Sequence, residues 1–267
     1  MARDHWSPGQ YGRFRDERKQ PFSDLLAMVQ RRPDMRVVDL GCGTGILTVE
    51  LAEALGARDT IGIDSSERML ERAPDHAGVA FRHAAIETFH AAEPFDLVFS
   101  NAALHWIDDH AALLSRLTDL VAPGGQIAVH VPANHDHPAH RIADEVAAMP
   151  EFRELLRGYQ RGATVLAPAE YASLLHRLGF RPPIVRLQVY GHELQTRDSV
   201  VEWLEGSLLT AYQRRLAEAD FDRFLAAYRA AIADRLPDTR PYYYTYDRIL
   251  MWGIRRPLRQ PGPETIL

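Results

Sequence analysis

Three glycines at alternating positions, placed between an apolar run and a helical pattern, constrain the fold of this chain most strongly. The stretch reads Val37-Val38-Asp39-Leu40-Gly41-Cys42-Gly43-Thr44-Gly45. From Ile46 onward, apolar residues recur at helical spacing. Glycine is used where the backbone needs a positive φ angle or comes close to a ligand, and free N–H groups at a helix start attract ligand atoms. The stretch therefore predicts a strand, a tight turn and a helix that form a ligand site.

The glycine spacing distinguishes between two kinds of nucleotide site. The dinucleotide pattern is Gly-x-Gly-x-x-Gly, followed by an acid about twenty residues later. Here the third glycine comes one residue early, and Ile46 stands where the dinucleotide pattern has glycine. Asp64 ends a second predicted strand, where an acid can bind both hydroxyls of a ribose. With Asp39 before the first glycine, the motif resembles that of the class I methyltransferases that use S-adenosylmethionine (SAM). An NAD site and a turn without a cofactor are the alternatives.

Composition and charge limit the partners that we expect. The 267 residues are 46% hydrophobic and 25% charged, ordinary values for one α/β domain with insertions. A net charge of −5 argues against general nucleic-acid binding. The sequence shows neither a secretory signal nor an apolar run of membrane-spanning length. We therefore expect a cytoplasmic monomer or homodimer that acts on a small molecule, with no nucleic-acid or membrane partner.

Cys42 is the single cysteine, so the chain cannot form an internal disulfide. A lone thiol suits a reducing compartment. Neither histidine nor lysine is near Cys42 in the sequence, and we interpret it as a small residue of the turn rather than as a nucleophile.

Strand and helix patterns alternate along the chain, which predicts a parallel sheet with helices on both faces. Strands are predicted over 36–40, 60–63, 79–83, 95–100, 126–131, 184–190 and 248–254. Helical patterns cover 46–55, 66–73, 110–121, 138–149, 168–178 and 198–233. Pro123-Gly124-Gly125 is predicted as a turn before the fifth strand. Together with the cofactor motif, this order indicates the α/β, Rossmann-like class I methyltransferase fold, with a seven-stranded mostly parallel sheet and a helical cap.

We expect the chain to divide into four segments. Residues 1–30 form an N-terminal lid and a first helix that starts after Pro21, although a disordered tail is the alternative for the leader. Residues 31–135 form the SAM-binding core. Residues 136–254 contain the remaining strands and helical cap insertions that form the substrate pocket, and residues 255–267, with three prolines, form a C-terminal tail.

Beyond the cofactor motif, the chain resembles the trans-aconitate 2-methyltransferase family of small-molecule carboxyl O-methyltransferases. The resemblance covers most of the chain at modest density. It is carried by Trp6-Ser7-Pro8, Glu17-Arg18, Gly62-Ile63-Asp64-Ser65-Ser66, Ser100-Asn101-Ala102-Ala103-Leu104-His105-Trp106, Pro132-Ala133-Asn134 and Glu202-Trp203. It implies methyl transfer from SAM to a carboxylate of a small, trans-aconitate-like organic acid, with S-adenosylhomocysteine (SAH) as the product.

The resemblance also implies roles for single residues. Asp39 would face the amino group of SAM, and Asp64 would hold the ribose hydroxyls. Ala85 stands where the family usually has an acid for the adenine; Ile86 still offers its backbone N–H there, and Glu87 an acid from two residues on. The cofactor set is Tyr11, Arg18, Asp39, Gly41, Gly43, Gly45, Asp64, Ser65, Met69, Ile86, Glu87 and Asn101. The substrate set is Trp106, Asn134, Trp203, Tyr246 and Arg248.

His105 is the candidate catalytic residue, at a position where the family usually has glutamine. A carboxylate acceptor is already ionised at pH 7 and needs no base. His105 would act as a base only in a natural-product O-, N- or C-methyltransferase of the same fold, and hydrogen bonding or packing is its alternative role. A non-catalytic SAM-binding regulatory module is a further alternative, but the aromatic-rich cap favours an enzyme.

Three clusters allow both a structural and a functional interpretation. His135-Asp136-His137-Pro138-Ala139-His140 resembles a metal-binding spacing, but Asp and Pro are also typical of a helix start. Since methyl transfer needs no metal, we predict none. Asp108-Asp109-His110 is interpreted as a helix cap in the same way. The tyrosines at 242–244 and 246 alternate along a strand and either pack there or line an anion pocket with Arg248.

Overall fold

The computed structural model describes residues 15–162 and 164–256. These residues group into two compact units. The core unit comprises residues 21–131, 164–187 and 249–256. The helical unit comprises residues 15–20, 132–162 and 188–248.

Seven strands form one sheet in the order β3-β2-β1-β4-β5-β7-β6. The strands are β1 (Arg36–Leu40), β2 (Asp59–Asp64), β3 (Val79–His83), β4 (Phe95–Asn101), β5 (Val121–Pro132), β6 (Ile184–Leu194) and β7 (Tyr242–Ile254). All seven predicted strands are confirmed. The neighbouring pairs among β1 to β5 are parallel. Because the chain order reverses between β1 and β4, the carboxyl ends of these two strands form the switch point where open α/β sheets bind ligands.

The last strand runs opposite to β5. The N–H of Ala133 donates to the carbonyl of Asp247 at 2.8 Å, and the N–H of Gly124 donates to the carbonyl of Arg255 at 2.8 Å. The residue numbers of the acceptors rise as those of the donors fall, so β7 is antiparallel to β5. The sheet is therefore mostly parallel, as predicted, with an antiparallel strand beyond β5.

The predicted turn at Pro123-Gly124-Gly125 lies inside β5, and its prediction as a turn before the strand is wrong. Phe95 pairs with Val121, whereas Leu97 pairs with Gln126, so one residue of β4 faces four residues of β5. Gly124 has a φ angle of 80°. The glycines thus form a bulge within a paired strand, because the flanking residues keep their hydrogen-bonded neighbours.

The described helices agree with most of the helical patterns, although the pattern at 66–73 forms a helix of only four residues. They are α1 (Arg15–Leu26), α2 (Ile46–Leu55), α3 (Glu67–Leu70), α4 (His110–Leu120), α5 (Pro138–Ala148), α6 (Pro150–Leu155), α7 (Pro168–Arg177), α8 (Asp198–Glu205), α9 (Thr210–Gln213) and α10 (Glu218–Arg235). Helix α1 begins before Pro21 rather than after it, and α6 was not predicted. The stretch 198–233 is three helices, and Gly206 follows the first of them, since glycine disfavours a helix interior by roughly 1 kcal/mol.

Each unit has its own apolar core. In the core unit, Leu25, Phe99 and Trp252 belong to one buried cluster. In the helical unit, Phe152 and Phe224 belong to another. Within the described part of the chain, no helix is long and apolar enough to cross a membrane.

Candidate active site and cofactor-binding turn

The glycine turn lies between β1 and α2, as the motif predicts. Gly41, Gly43 and Gly45 have φ angles of 76°, 57° and 72°, a region that glycine enters without steric cost. The N–H groups of Gly41 and Cys42 both donate to the carbonyl of Ile63, at 2.8 and 2.9 Å. These bonds attach the turn to the end of β2.

The carboxylate of Asp64 holds the same turn through its side chain. Its Oδ2 accepts the N–H of Gly43 at 2.8 Å, and its Oδ1 accepts the N–H of Ser66 at 2.9 Å. Each carboxylate oxygen accepts more than one hydrogen bond. Asp64 can therefore hold the turn and bind the hydroxyls of a ribose at the same time.

Residues of β3 and of the segments that follow β3 and β4 pack against the turn. A Cβ added at Gly41 would overlap the side chain of Ala103 and would lie 3.5 Å from Cδ1 of Ile86. A Cβ added at Gly45 would overlap the ring of Phe81. The segments that follow β1, β3 and β4 thus meet at the switch point, and only glycine fits where they meet.

Asp39 is buried beneath the turn, and its side chain meets a residue that the sequence did not single out. The hydroxyl of Thr48 donates to Oδ2 of Asp39 at 2.6 Å. Burial raises the pKa of Asp39 to about 7; the Thr48 hydrogen bond lowers it, and the charge of Asp64 raises it. A cation beside Asp39 would favour its ionised form. Burial also raises the pKa of the Cys42 thiol, which agrees with a packing role for that residue.

Arg116 on α4 fixes the loop after β3 through hydrogen bonds to its backbone. The guanidinium donates to the carbonyl of Phe89 at 2.9 Å and to that of Ile86. Ile86 is buried and Glu87 is exposed. The backbone of Ile86, predicted to face the adenine, is thereby fixed by a residue that the sequence reading missed.

Two further predicted cofactor residues follow β2. Met69 is buried, and its Cε lies 3.8 Å from the place where Gly43 would carry a Cβ. Ser65 is exposed, and its carbonyl is 3.0 Å from Nε2 of His83. Met69 therefore belongs to the surroundings of the turn, whereas the backbone of Ser65 contacts His83 at the end of β3.

Asn101 at the end of β4 is positioned by a buried histidine. Nδ1 of His130 lies 2.7 Å from Oδ1 of Asn101, and the N–H of Ala102 donates to the carbonyl of His130 at 3.0 Å. Ala102 has a φ angle of 56°, which is strained for a residue with a Cβ. Such strain is typical of functional sites, and Ala102 lies three residues before His105.

His105 and Trp106 form a short 3₁₀ turn with Leu104. Their rings are tilted at 42° with centroids 4.7 Å apart. Trp106 is 41% exposed, whereas His105 is half-buried. The indole is therefore partly exposed to solvent, as expected of a pocket wall.

Comparison with known proteins identifies the chain. A family model described as a methyltransferase domain matches residues 11–182. The trans-aconitate 2-methyltransferase of Deinococcus radiodurans is 40% identical over 256 residues, which cover 94% of this chain and 98% of that protein. The chain belongs to the trans-aconitate 2-methyltransferase family. The methyltransferase is also 37% identical over 244 residues to the trans-aconitate 2-methyltransferase of Streptomyces avermitilis, across 88% of this chain and 90% of the relative.

The fold of the methyltransferase has solved counterparts. The YcgJ protein from Bacillus subtilis matches it with a TM-score of 0.59 at 16% sequence identity, over 89% of this chain and 99% of that one. An identity this low shows the fold alone. The predicted Rossmann-like class I methyltransferase fold is confirmed.

The methyltransferase uses SAM as its cofactor, which excludes the NAD and cofactor-free alternatives. The residues at the turn fit this cofactor. Asp39 and Asp64 place two carboxylates beside a turn whose three glycines have positive φ angles. When bound, SAM supplies a methyl group on a positively charged sulfur. The turn would hold its methionine part, Asp64 its ribose, and Met69 with Ile86 its adenine.

Four predicted substrate residues lie in the helical unit. Trp203 packs against Tyr246 with ring centroids 5.9 Å apart. The guanidinium carbon of Arg248 lies 4.5 Å from the ring centroid of Tyr246, and Arg248 is only 4% exposed. Asn134 bonds to the protein itself: its Oδ1 accepts the N–H of Asp247 at 2.9 Å. The fifth, Trp106, lies in the core unit.

The tyrosines of β7 alternate as the sequence predicts. Tyr242, Tyr244 and Tyr246 are buried, whereas Tyr243 is 63% exposed. Nδ2 of Asn134 donates to the hydroxyl of Tyr244 at 3.2 Å. The strand therefore presents three phenol rings to the interior of the helical unit.

The clusters at 135–140 and 108–110 both lie at helix starts. Nδ1 of His137 accepts the N–H of Ala139 at 3.1 Å at the start of α5, and the side chain of Asp109 accepts the N–H of Ala112 at 3.0 Å at the start of α4. The predicted helix starts at Pro138 and after Asp109 are confirmed, although His137 rather than Asp136 is the capping residue of α5. Across residues 15–162 and 164–256, no group of three or more His, Cys, Asp or Glu side chains is placed to hold a metal ion.

Tyr11 lies outside the described residues, and Arg18 is described only as part of the backbone of α1. Their assignment to the cofactor site stays a prediction. Sequence reading missed Thr48, Arg116 and His130. Thr48 lies in the first turn of α2, which is the signal that would have pointed to it; the other two carry no local signal.

Proposed function

We propose that the methyltransferase transfers the methyl group of SAM to a carboxylate oxygen of a small, trans-aconitate-like organic acid and releases SAH. One observation carries the proposal: the curated relatives named trans-aconitate 2-methyltransferase match this chain over almost its whole length, at 40% identity in the first case. The same assignment makes the substrate a small molecule. The predicted cytoplasmic location and the oligomeric state stay predictions.

The chemistry of such an acceptor agrees with the residues present. A carboxylate is ionised at neutral pH, so its oxygen attacks without a general base. The protein must mainly hold the acceptor in line, and correct placement alone supplies roughly 7–11 kcal/mol of the barrier. Under this proposal His105 and Trp106 shape the place of reaction through hydrogen bonding and packing.

Arg248 is the guanidinium that we assign to the acid. It is buried among phenol rings, with its guanidinium carbon 4.5 Å from the ring centroid of Tyr246 and 5.6 Å from that of Tyr190. Arginine binds carboxylates in a bidentate manner, and burial strengthens such a pair. Trp203 would form an apolar wall beside it.

We further propose roles for the segments predicted from the sequence. Residues 1–30 would close over the cofactor as a lid, with Tyr11 and Arg18 as contacts. Residues 31–135 would bind SAM, and residues 136–254 would supply the substrate pocket. The aromatic and basic composition of the leader supports a mobile lid that adheres to a ligand.

The alternative acceptor is a natural-product hydroxyl, amine or carbon, with His105 as the base. The half-buried His105 ring beside an exposed Trp106 is the observation that favours it. Family membership speaks against the third possibility, a SAM-binding regulatory module without catalysis.

The deciding experiment is SAM turnover against a panel of small molecules with product mass analysis. The panel holds tricarboxylic, dicarboxylic and monocarboxylic acids, together with phenols and amines. We expect mono-methyl esters of a polycarboxylic acid. Turnover of the phenols or amines alone contradicts the proposal and supports the alternative with His105.

A further inference from the structure

His140 is a buried imidazole that the proposed reaction does not yet use. It projects from α5 in the helical unit and is 5% exposed. Within the described part of the chain, neither of its ring nitrogens has a hydrogen-bond partner. An unsatisfied buried polar group costs about 1–3 kcal/mol, so His140 favours a hydrogen-bond partner that the described residues do not supply.

Both burial and neighbouring side chains act on the charge state of His140. Burial lowers the pKa of His140 well below its usual value, and the charges of Arg161, His137 and His135 lower it further. Arg161 already has a counter-charge, because its guanidinium donates to both carboxylate oxygens of Asp144, at 3.3 and 3.1 Å. The buried imidazole therefore lacks a hydrogen-bond partner rather than a counter-charge, and a carboxylate oxygen that accepts its ring N–H would supply that partner.

His140 also adjoins the residues assigned to the acceptor. Its ring centroid lies 6.2 Å from that of Tyr246, and the same Tyr246 ring has the guanidinium carbon of Arg248 4.5 Å from its centroid. Tyr246 thus contacts two cation-capable groups. An acid with two separated carboxylates can engage both, whereas a monocarboxylic acid engages one.

We propose that His140 binds a second carboxylate of the acceptor and makes the methyltransferase selective for polycarboxylic acids. This inference rests on the proposed function, because it names the substrate class within that function. His140 contacts a part of the acid that does not react, so it determines specificity rather than the chemical step.

The test compares His140→Leu and His140→Asn with the wild type. The measured quantities are kcat/KM for trans-aconitate and for a monocarboxylic acid, and the Kd for SAH. We expect His140→Leu to lower kcat/KM for trans-aconitate by about 10- to 100-fold, since hydrogen bonds to charged groups contribute about 1.5–3 kcal/mol. The value for the monocarboxylic acid and the Kd for SAH should stay within about threefold of the wild-type values, as expected for a change distant from those contacts. His140→Asn, which keeps a donor, should recover part of the loss.

Thermal unfolding of the free protein gives a second, independent readout. A buried histidine whose hydrogen-bond partner is a ligand is unsatisfied in the free protein and destabilises it. His140→Leu should therefore raise Tm. A histidine with a structural role would lower it. His176→Leu, which removes an exposed imidazole in the core unit, is the control and should change neither selectivity nor Tm.

Three outcomes overturn the inference in distinguishable ways. An equal loss for both acids with a lowered Tm makes His140 a structural residue. An unchanged selectivity removes it from the acceptor site. A wild-type protein that methylates no carboxylic acid overturns the proposed function, and the inference with it.

Discussion

Oδ2 of Asp64 accepts the backbone N–H of Gly43 at 2.8 Å. The acid after β2 and the glycine turn after β1 therefore form one hydrogen-bonded structure. Two motifs that lie about twenty residues apart act together, because parallel neighbouring strands bring their carboxyl ends side by side. Removal of the Asp64 carboxylate should therefore affect cofactor binding before it affects the fold.

Asp64→Ala should weaken SAH binding at least tenfold. The change removes an acceptor for two ribose hydroxyls, and hydrogen bonds to charged groups are each worth about 1.5–3 kcal/mol. Isothermal titration calorimetry measures the affinity, with circular dichroism to check the fold. Glu67→Ala removes an exposed acid three residues later and should leave the affinity unchanged. An unaltered Kd in Asp64→Ala contradicts the assignment.

Asp39 should make cofactor binding depend on pH. Its pKa of about 7 in the free protein means that it is half protonated at neutral pH. The amino group of the ligand prefers the ionised carboxylate, so affinity for SAH should rise about tenfold between pH 6 and pH 8 and then level off. Calorimetric titrations across that range test this. Asp39→Asn should weaken binding at pH 8 and abolish the pH dependence; a variant that still follows the wild-type curve excludes Asp39 as the titrating group.

Asp39 should also make the stability of the free protein depend on pH. The stability should fall as pH rises, whereas the affinity for SAH should rise. The folded pKa is raised above the unfolded value of 3.8, so the folded state holds the proton more tightly. The free energy of unfolding that Asp39 contributes is therefore fully present below pH 3.8 and is lost as pH rises towards 7. Urea denaturation of Asp39→Asn relative to wild type should show a growing relative gain in stability of the variant from pH 5 to pH 7. A constant difference would show that Asp39 is not protonated in the folded protein.

Gly45→Ala should destabilise the protein more than Gly56→Ala. Both glycines have positive φ angles, 72° and 57°, which cost an L-residue about 1–2 kcal/mol. A Cβ at Gly45 also overlaps the ring of Phe81, whereas nothing lies within 4 Å of one at Gly56. Denaturant unfolding of the two variants isolates the effect of the close contact. Equal losses would mean that Phe81 moves aside freely.

His105→Gln should reduce turnover by less than about tenfold if the acceptor is a carboxylate. General-base catalysis contributes about 10²–10⁴-fold, and glutamine keeps hydrogen bonding without a titrating group. The pH–rate profile of the wild type should then show no inflection near the ordinary histidine pKa of about 6.5. A variant that binds SAH but has lost turnover would support a protonated nucleophile and the natural-product alternative.

Residues 1–20 should gain protection when SAH binds. Hydrogen exchange with mass spectrometry compares the free and the SAH-bound protein, and peptides from β1, already buried, serve as the internal control. A lid that closes over the ligand slows exchange in the leader. Equal exchange in the two states removes the lid role from the leader, and with it the site assignments of Tyr11 and Arg18.

Local pattern was sufficient for the seven strands, most of the helices and the cofactor motif. The helix from Ile46 to Leu55 and the strand from Arg36 to Leu40 have the predicted bounds, because apolar periodicity and glycine placement are properties of neighbouring residues. Asp39, Asp64 and the three glycines could be named for the same reason. The resemblance to the family supplied the acceptor class, which no local pattern encodes.

Tertiary structure decided which residues support the site. Thr48 bonds to Asp39, Arg116 holds the loop at Ile86, and His130 meets Asn101 across 29 positions of the chain. Tertiary structure also explains why Pro123-Gly124-Gly125 is a bulge and not the predicted turn. Strands β4 and β7 pair with β5 on either side of it. A sequence pattern reports what a segment prefers by itself. Hydrogen-bond partners, burial and pKa depend on which distant segments pack against it, and those contacts exist only in the folded chain.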